Sequence, residues 1–114
     1  MGIFLSLEAS SVVRGFDVIE FREWERGYYY KMIVSLADDS SLHAREFFNA
    51  DERHYSFHWQ RPDGGMIRRW DDAPHYPHLE THPHHVHEGD SVRASLPMSL
   101  KEVLAEIEKQ VGLT

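Results

Sequence analysis

The sequence predicts an α+β fold, in which an antiparallel meander of about five or six strands packs against a C-terminal α-helix. Strand-like segments separated by turn signals fill the first two thirds of the chain, and one amphipathic helix with signals at both ends closes it. The 114 residues fit a single domain. We expect sheet over residues 1–72, a loop rich in histidine and proline over 73–98, and the helix over 99–112.

Four segments account for the first half of the predicted sheet. Met1–Ser6 is expected to be an ordinary first strand, and Val12–Trp24 is rich in β-branched and aromatic residues. Tyr28–Leu36 alternates, with every second side chain from Tyr28 onward on one face. Leu42–Phe48 is a further strand, although its pattern is also compatible with the start of a helix. The turn signals between these segments are Glu25–Gly27 and Asp38–Ser40.

The clearest local pattern is a β-hairpin. His54–Gln60 alternates strictly, so its aromatic residues point one way and its histidines point the other. Arg61–Gly65 supplies the turn, because proline presets φ and Asp-Gly-Gly provides positive-φ positions. Met66–Asp71 then returns as the partner strand.

The C-terminal helix has signals at both of its ends. Ser99 and Glu102 form a capping box, and Gly112 is placed to end the helix. The residues between them form an apolar stripe that must cover the sheet, namely Leu100, Val103, Leu104, Ile107 and Val111.

Composition limits the possible functions. The absence of cysteine excludes disulfides, thiolate metal sites and a cysteine nucleophile. Because the net charge is −7, any contact with nucleic acid must use a local basic face. No apolar run approaches the length of a membrane span, and a cytoplasmic protein is the simplest interpretation.

Six of the nine histidines lie in one segment, WDDAPHYPHLETHPHHVH, which runs from Trp70 to His87. Three prolines confine its backbone to extended or turn conformations, so we expect a stiff loop rather than a helix or a central strand. Such a loop suits a site that must hold side chains in place.

One interpretation of this loop is a metal site for zinc or nickel. Its ligands would be drawn from the end of the segment, namely His82, His84, His85 and His87. The spacing matches no common zinc signature, and therefore no cofactor is favoured.

A second interpretation is acid–base catalysis on RNA without a metal. Two histidines and an arginine provide a base, an acid and a cation for cleavage at a 2′-hydroxyl. His58 lies on the polar face of its strand, and the loop starts where the partner strand ends, so its last histidines can return over that face. A third interpretation is a non-enzymatic binding module whose histidines make its affinity depend on pH.

The hairpin and the loop together resemble the TumE toxins of type II toxin–antitoxin systems. The residues that carry the resemblance are Tyr55–Gln60, Arg69–His75, Pro77–Leu79 and Pro83–His87. The resemblance implies a growth inhibitor that acts on RNA and pairs with a helix-turn-helix antitoxin. Asp72 stands where asparagine is expected, and Val86 stands where a basic residue is common, which weakens a phosphate contact at that position.

The sequence therefore predicts a prokaryotic ribonuclease toxin with RNA and an antitoxin as partners, and a homodimer as a further option. The predicted catalytic residues, most of them implied by the resemblance, are His58, His84, His85, His87, Arg69 and Asp71. The predicted substrate-binding residues are Arg45, Arg68, His54, His75 and His78.

Overall fold

A computed structural model describes residues 2–112 and shows a seven-stranded antiparallel sheet with two helices. The strands follow one another in chain order across the sheet, which is a simple meander. The elements are α1 (Gly2–Ala9), β1 (Val13–Trp24), β2 (Gly27–Leu36), β3 (Ser41–Asn49), β4 (Glu52–Gln60), β5 (Met66–Asp71), β6 (His85–Glu88), β7 (Ser91–Ala94) and α2 (Leu100–Val111). The predicted α+β class is confirmed, with more strands than expected. Neither helix is long and apolar enough to cross a membrane, in the part of the chain described.

The alternation in β2 and β4 divides the sheet into a covered face and an open face. Tyr30, Met32, Val34 and Leu36 of β2 are buried, and so are Tyr55, Phe57 and Trp59 of β4. Both helices pack on this covered face, where Leu7 of α1 and Ile107 of α2 join the same core. The opposite face carries the polar halves of the strands and has no helix over it among residues 2–112.

The ends of α2 are those that the sequence predicts. The Ser99 side chain accepts from the backbone N–H of Glu102, and the Glu102 carboxylate accepts from the N–H of Ser99. Gly112 adopts φ 76°, and its N–H donates to the carbonyl of Glu108. These caps satisfy backbone groups that the helix itself leaves unpaired.

The N-terminal segment departs from the prediction. Gly2–Ala9 is a helix rather than a first strand; Met1 lies outside the described residues. A short apolar run cannot be assigned to helix or strand by periodicity alone. Phe4 stacks on Phe16 and contacts Phe21, so packing against β1 decides the outcome.

The end of the histidine-rich segment forms a β-strand instead of the predicted loop. Its last residues form β6, which pairs with β5 in the register Arg69↔His87 and Asp71↔His85. β6 begins two residues after Pro83, where no proline restricts the ladder any longer. A turn at Gly89, with φ 58°, leads into β7. These two four-residue strands explain why the count exceeds five or six.

Candidate functional site

Two rows of polar side chains cross the open face from β3 to β6. The strand registers place His43 opposite His58, His58 opposite Arg69, and Arg69 opposite His87. The neighbouring row runs through Arg45, Ser56, Asp71 and His85. Because directly opposite residues share one face of a sheet, four strands bring these groups together.

The first row borders a depression of about 290 Å³ whose charged lining residues are all cationic, namely Lys31, Arg45 and Arg69. Two imidazoles line the same depression. The rings of His43 and His58 are 6.3 Å apart between centroids and meet edge to face at 81°. The depression therefore combines two proton-transfer groups with three cations.

The surroundings of His58 favour the neutral form of its ring. Burial lowers its pKa below the ordinary histidine value, and the charge of Arg69 lowers it further. The Nη1 atom of Arg69 lies 3.4 Å from Nδ1 of His58 and can only donate, so Nδ1 presents its lone pair. A histidine that is neutral near physiological pH can accept a proton there.

Asp71 is the centre of a second group, at the end of β5. Its Oδ2 accepts from Nε of Arg69 at 2.8 Å, and its Oδ1 accepts from the backbone N–H of Ala73 at 3.0 Å. Nε2 of His85 lies 2.8 Å from Oδ1, and Nε2 of His87 lies 3.8 Å from Oδ2. Burial is the largest effect on the pKa of His87 and lowers it.

An aromatic depression of about 360 Å³ lies beside the cationic one. Tyr29, Phe47 and His54 line it, and the rings of Phe47 and His54 stack at 20° with 6.3 Å between centroids. His54 also bridges two carboxylates: Nε2 contacts Glu52 at 2.7 Å and Nδ1 contacts Asp72 at 2.9 Å. The hydrogen bond with Glu52 is the main reason that the pKa of His54 is raised.

Three residues line both depressions and form the ridge between them: Arg45, Ser56 and Arg69. The ridge places two guanidiniums, which can contact phosphates, beside aromatic rings, on which bases can stack.

Several predicted site residues lie together on this face. They are His54, His58, Arg45, Arg69, Asp71, His85 and His87. The i, i+2 spacing does place His85 and His87 side by side, with 4.8 Å between ring centroids. Tyr76 covers them, with its ring 4.8 Å from that of His85.

Other predicted site residues lie elsewhere. His84 stacks on Tyr55, whose side chain belongs to the covered face, and its Nδ1 is 3.0 Å from the tyrosine hydroxyl. Arg68 also points to that side, where it pairs with Glu88 at 2.6 Å and contacts the ring of Trp70. The exposed part of the loop carries His75, His78 and His82. The predicted metal ligands His82 and His84 therefore do not join His85 and His87.

Apart from Arg45, sequence reasoning missed the residues that β2 and β3 contribute. His43 is the most important, and the others are Lys31, Tyr29 and Phe47. A signal was present, because His43, Arg45 and Phe47 alternate with the buried residues of Leu42–Phe48. Leu42–Phe48 is predicted as a strand, and the alternation that includes Arg45 places His43 and Phe47 on the same face.

Comparison with known protein families shows that the chain matches the family model described as "Toxin TumE" over residues 3–111. That span takes in both helices almost completely and every strand of the sheet. Comparison with curated proteins and with solved structures gave no significant match.

Proposed function

Because the chain belongs to the TumE toxin family, we propose that it is the toxin of a type II toxin–antitoxin pair and acts as an endoribonuclease. The observation that carries this proposal is the pairing of His43 with His58 in a depression lined by Lys31, Arg45 and Arg69. RNA cleavage at a 2′-hydroxyl needs one proton acceptor, one proton donor and a cation at the phosphate. This depression contains all three.

In the proposed reaction, His58 acts as the base. Arg69 turns toward the scissile phosphate, which frees Nδ1 of His58 to take the proton of the 2′-hydroxyl. The 2′-oxygen attacks phosphorus, the bond from phosphorus to the 5′-oxygen breaks, and His43 gives its proton to that leaving oxygen. The products are a 2′,3′-cyclic phosphate and a 5′-hydroxyl, and no electron is gained or lost overall.

Arg45 and Arg69 stabilise the negative charge that develops on the phosphate. A guanidinium is permanently charged and its fork of donors fits phosphate oxygens. The orientation of Arg69 is also set by its neighbours, since Nε donates to Asp71 while Nη1 faces His58. The bond from Nε to Asp71 would anchor the guanidinium while Nη1 turns from His58 to the phosphate, which limits the rearrangement of this cation.

Single-stranded RNA fits the neighbouring aromatic depression. Tyr29, Phe47 and His54 offer stacking surfaces beside the arginine ridge, and stacking on aromatic rings is tolerant of base identity. We therefore propose weak sequence preference at the bound base. The depressions lie on the uncovered side of the sheet. An unpaired RNA strand can therefore reach the imidazoles there.

A local basic face reconciles RNA binding with an acidic chain. The protein carries a net charge of −7, yet the charged lining of the catalytic depression is entirely cationic. Attraction at long range is consequently poor, and binding depends on the phosphates that reach this face. We expect affinity to fall steeply with salt.

The partner of a toxin in such a pair is its antitoxin. We propose that the antitoxin, of the helix-turn-helix type, covers the open face and blocks access to His58. RNA as the substrate would place the action of the toxin in the cytoplasm.

Expression without antitoxin in a bacterial host tests the proposal. The wild type should arrest growth and reduce the amount of intact RNA, whereas the double variant His43→Gln, His58→Gln should do neither. A matched control, His78→Gln with His82→Gln, also removes two imidazoles but from the exposed loop, and it should remain toxic. Arrest by the catalytic double variant without RNA breakdown would indicate a non-enzymatic binding module instead.

A further inference from the structure

We propose that Asp71, His85 and His87 form a binding site for one divalent transition-metal ion, of which zinc is the representative. The site adjoins the catalytic depression, but its ligands are not the proton-transfer pair. Binding of the ion is measurable without RNA, and only the effect of the ion on cleavage rests on the proposed function.

The three donor atoms already converge. One possible ligand atom from each of Asp71, His85 and His87 lies within 4.8 Å of the other two. Nε2 of His85 lies 2.8 Å from Oδ1 of Asp71, and Nε2 of His87 lies 3.8 Å from the other oxygen, Oδ2. Ligands held tetrahedrally by zinc at about 2.1 Å lie roughly 3.4 Å apart, which falls between these two distances.

The buried Nε2 atom of His85 is available to bind a metal ion. His85 is 1% exposed, and its Nε2 has no hydrogen-bond partner within residues 2–112. The neighbouring Oδ1 of Asp71 is close but lies outside hydrogen-bond geometry. A buried polar atom without a partner is unfavourable, and an ion between these two atoms would satisfy both.

The tautomer of His85 is fixed from the other side of its ring. Nδ1 lies 2.8 Å from the carbonyl oxygen of Pro83, which can only accept, so Nδ1 carries the proton and donates. In the neutral ring, Nε2 then carries a lone pair rather than a proton. Metal-binding histidines are oriented in this manner, by donation of the second ring N–H to a backbone carbonyl.

Outer partners orient the carboxylate as well. Nε of Arg69 and the N–H of Ala73 both donate to Asp71, which fixes the orientation of the carboxylate beside the two imidazoles. Such second-layer hydrogen bonds are a regular part of metal sites. The combination of two imidazoles with one carboxylate suits zinc and other late first-row metals.

An ion at this position would have two effects. It would tie β5 to β6 through Asp71 and His85, and it would hold the carboxylate that positions Arg69 beside His58. Three protein ligands also leave a position for water or for a phosphate oxygen of the substrate. The ion is thus expected to support the catalytic depression from its edge.

Zinc titration by calorimetry, on protein without a polyhistidine tag and first stripped with a chelator, tests the site. The wild type should bind one Zn²⁺ per chain, and His87→Gln should weaken that binding by more than about 100-fold, because even loss of an outer partner costs about 10- to 100-fold. His87 is half-buried, which favours retention of the fold. Thermal unfolding with and without zinc provides a second readout, since a bound ion raises the melting temperature.

The matched control is again His78→Gln with His82→Gln, which removes two exposed loop histidines and should keep the one-to-one site. Absence of one-to-one binding by the wild type would overturn the proposal, as would equal loss in the control and in His87→Gln. If the wild type binds zinc but cleaves RNA at the full rate in excess chelator, the metal site stands and the role of the ion is structural. A wild type that binds zinc but does not cleave RNA would contradict the proposed function alone.

Discussion

Nη1 of Arg69 lies 3.4 Å from Nδ1 of His58, and Nε of the same guanidinium donates to Asp71. One side chain therefore joins His58, the proposed base, to the carboxylate cluster at the end of β5. Arg69 lowers the pKa of His58, and in the proposed reaction it also contacts the phosphate that is cleaved.

Substitution of Arg69 should reduce RNA cleavage strongly. Arg69→Lys keeps the charge but cannot reach His58 and Asp71 at once, so we expect a loss on the order of 10-fold or more. Arg69→Ala should lose about 10²- to 10³-fold, as for removal of one group that stabilises transition-state charge. Initial rates on one RNA substrate measure both effects. Arg22→Lys, on exposed β1, is the control and should cleave normally.

The pH dependence of cleavage should reflect the neutral form of His58. Because burial and Arg69 lower the pKa of His58, activity should persist as pH falls and be lost at a midpoint below about 6.5, the ordinary histidine value. Arg69→Gln removes one of the lowering charges, so the residual activity should be lost at a higher pH than in the wild type. An acid midpoint that does not move in this variant would argue against His58 as the base.

His54 should contribute to stability only at low pH. Its pKa is raised in the folded state, chiefly by Glu52, so its contribution is present below the unfolded value of about 6.5 and disappears as pH rises through the folded value. Because the side chain is mostly exposed, His54→Gln should cost less than about 1 kcal/mol at pH ~5.5 and nothing measurable at pH ~8.5. Urea unfolding at the two pH values checks this, and an equal cost at both would contradict it.

Loss of the cationic partner of a buried carboxylate on the covered face should lower the free energy of unfolding. Glu46 is 5% exposed and accepts from Tyr30 and from Arg53, which also donates to the carbonyl of Met98 ahead of α2. Arg53→Ala should cost about 3 kcal/mol in the free energy of unfolding, because it leaves a buried charge with one donor fewer. Arg14→Ala breaks the exposed pair with Asp39 and should cost less than about 1 kcal/mol. Urea unfolding of both variants measures the difference, and similar losses in the two would refute it.

The elements that the sequence predicts well are those with dense local signals. The hairpin of β4 and β5 combines strict alternation with a Pro-Asp-Gly-Gly turn, and α2 has a capping box at one end and Gly112 at the other. Each signal depends on residues a few positions apart. The sequence pattern therefore specifies these elements almost alone.

The elements that escape prediction depend on distant contacts. α1 is short and apolar, and Phe4 is placed by Phe16 and Phe21 of β1. β6 is only four residues long, and its strand character comes from pairing with β5. Prolines indicate a segment without helix or strand, and residues 72–84 have neither, but Pro83 places no restriction on the backbone of the residues that form β6.

The residues of the candidate site also divide into those that local sequence signals predict and those that depend on distant contacts. His58, Arg69 and Asp71 follow from the hairpin register, whereas His43 joins them only once β3 is known to pair with β4. The dense histidine segment suggests that all its imidazoles act together, yet alternation sends His84 to the opposite face from His85 and His87. A one-residue step along a strand reverses the side of the sheet that a side chain occupies.

Cleavage of a defined single-stranded RNA by purified untagged protein, with analysis of the product ends, tests the central claim most directly. The wild type should leave 2′,3′-cyclic phosphate and 5′-hydroxyl ends, and His43→Gln and His58→Gln should each reduce the rate by about 100-fold or more while His78→Gln does not. Cleavage at the wild-type rate by His43→Gln or His58→Gln, or intact RNA with a wild type that still arrests growth, would contradict it.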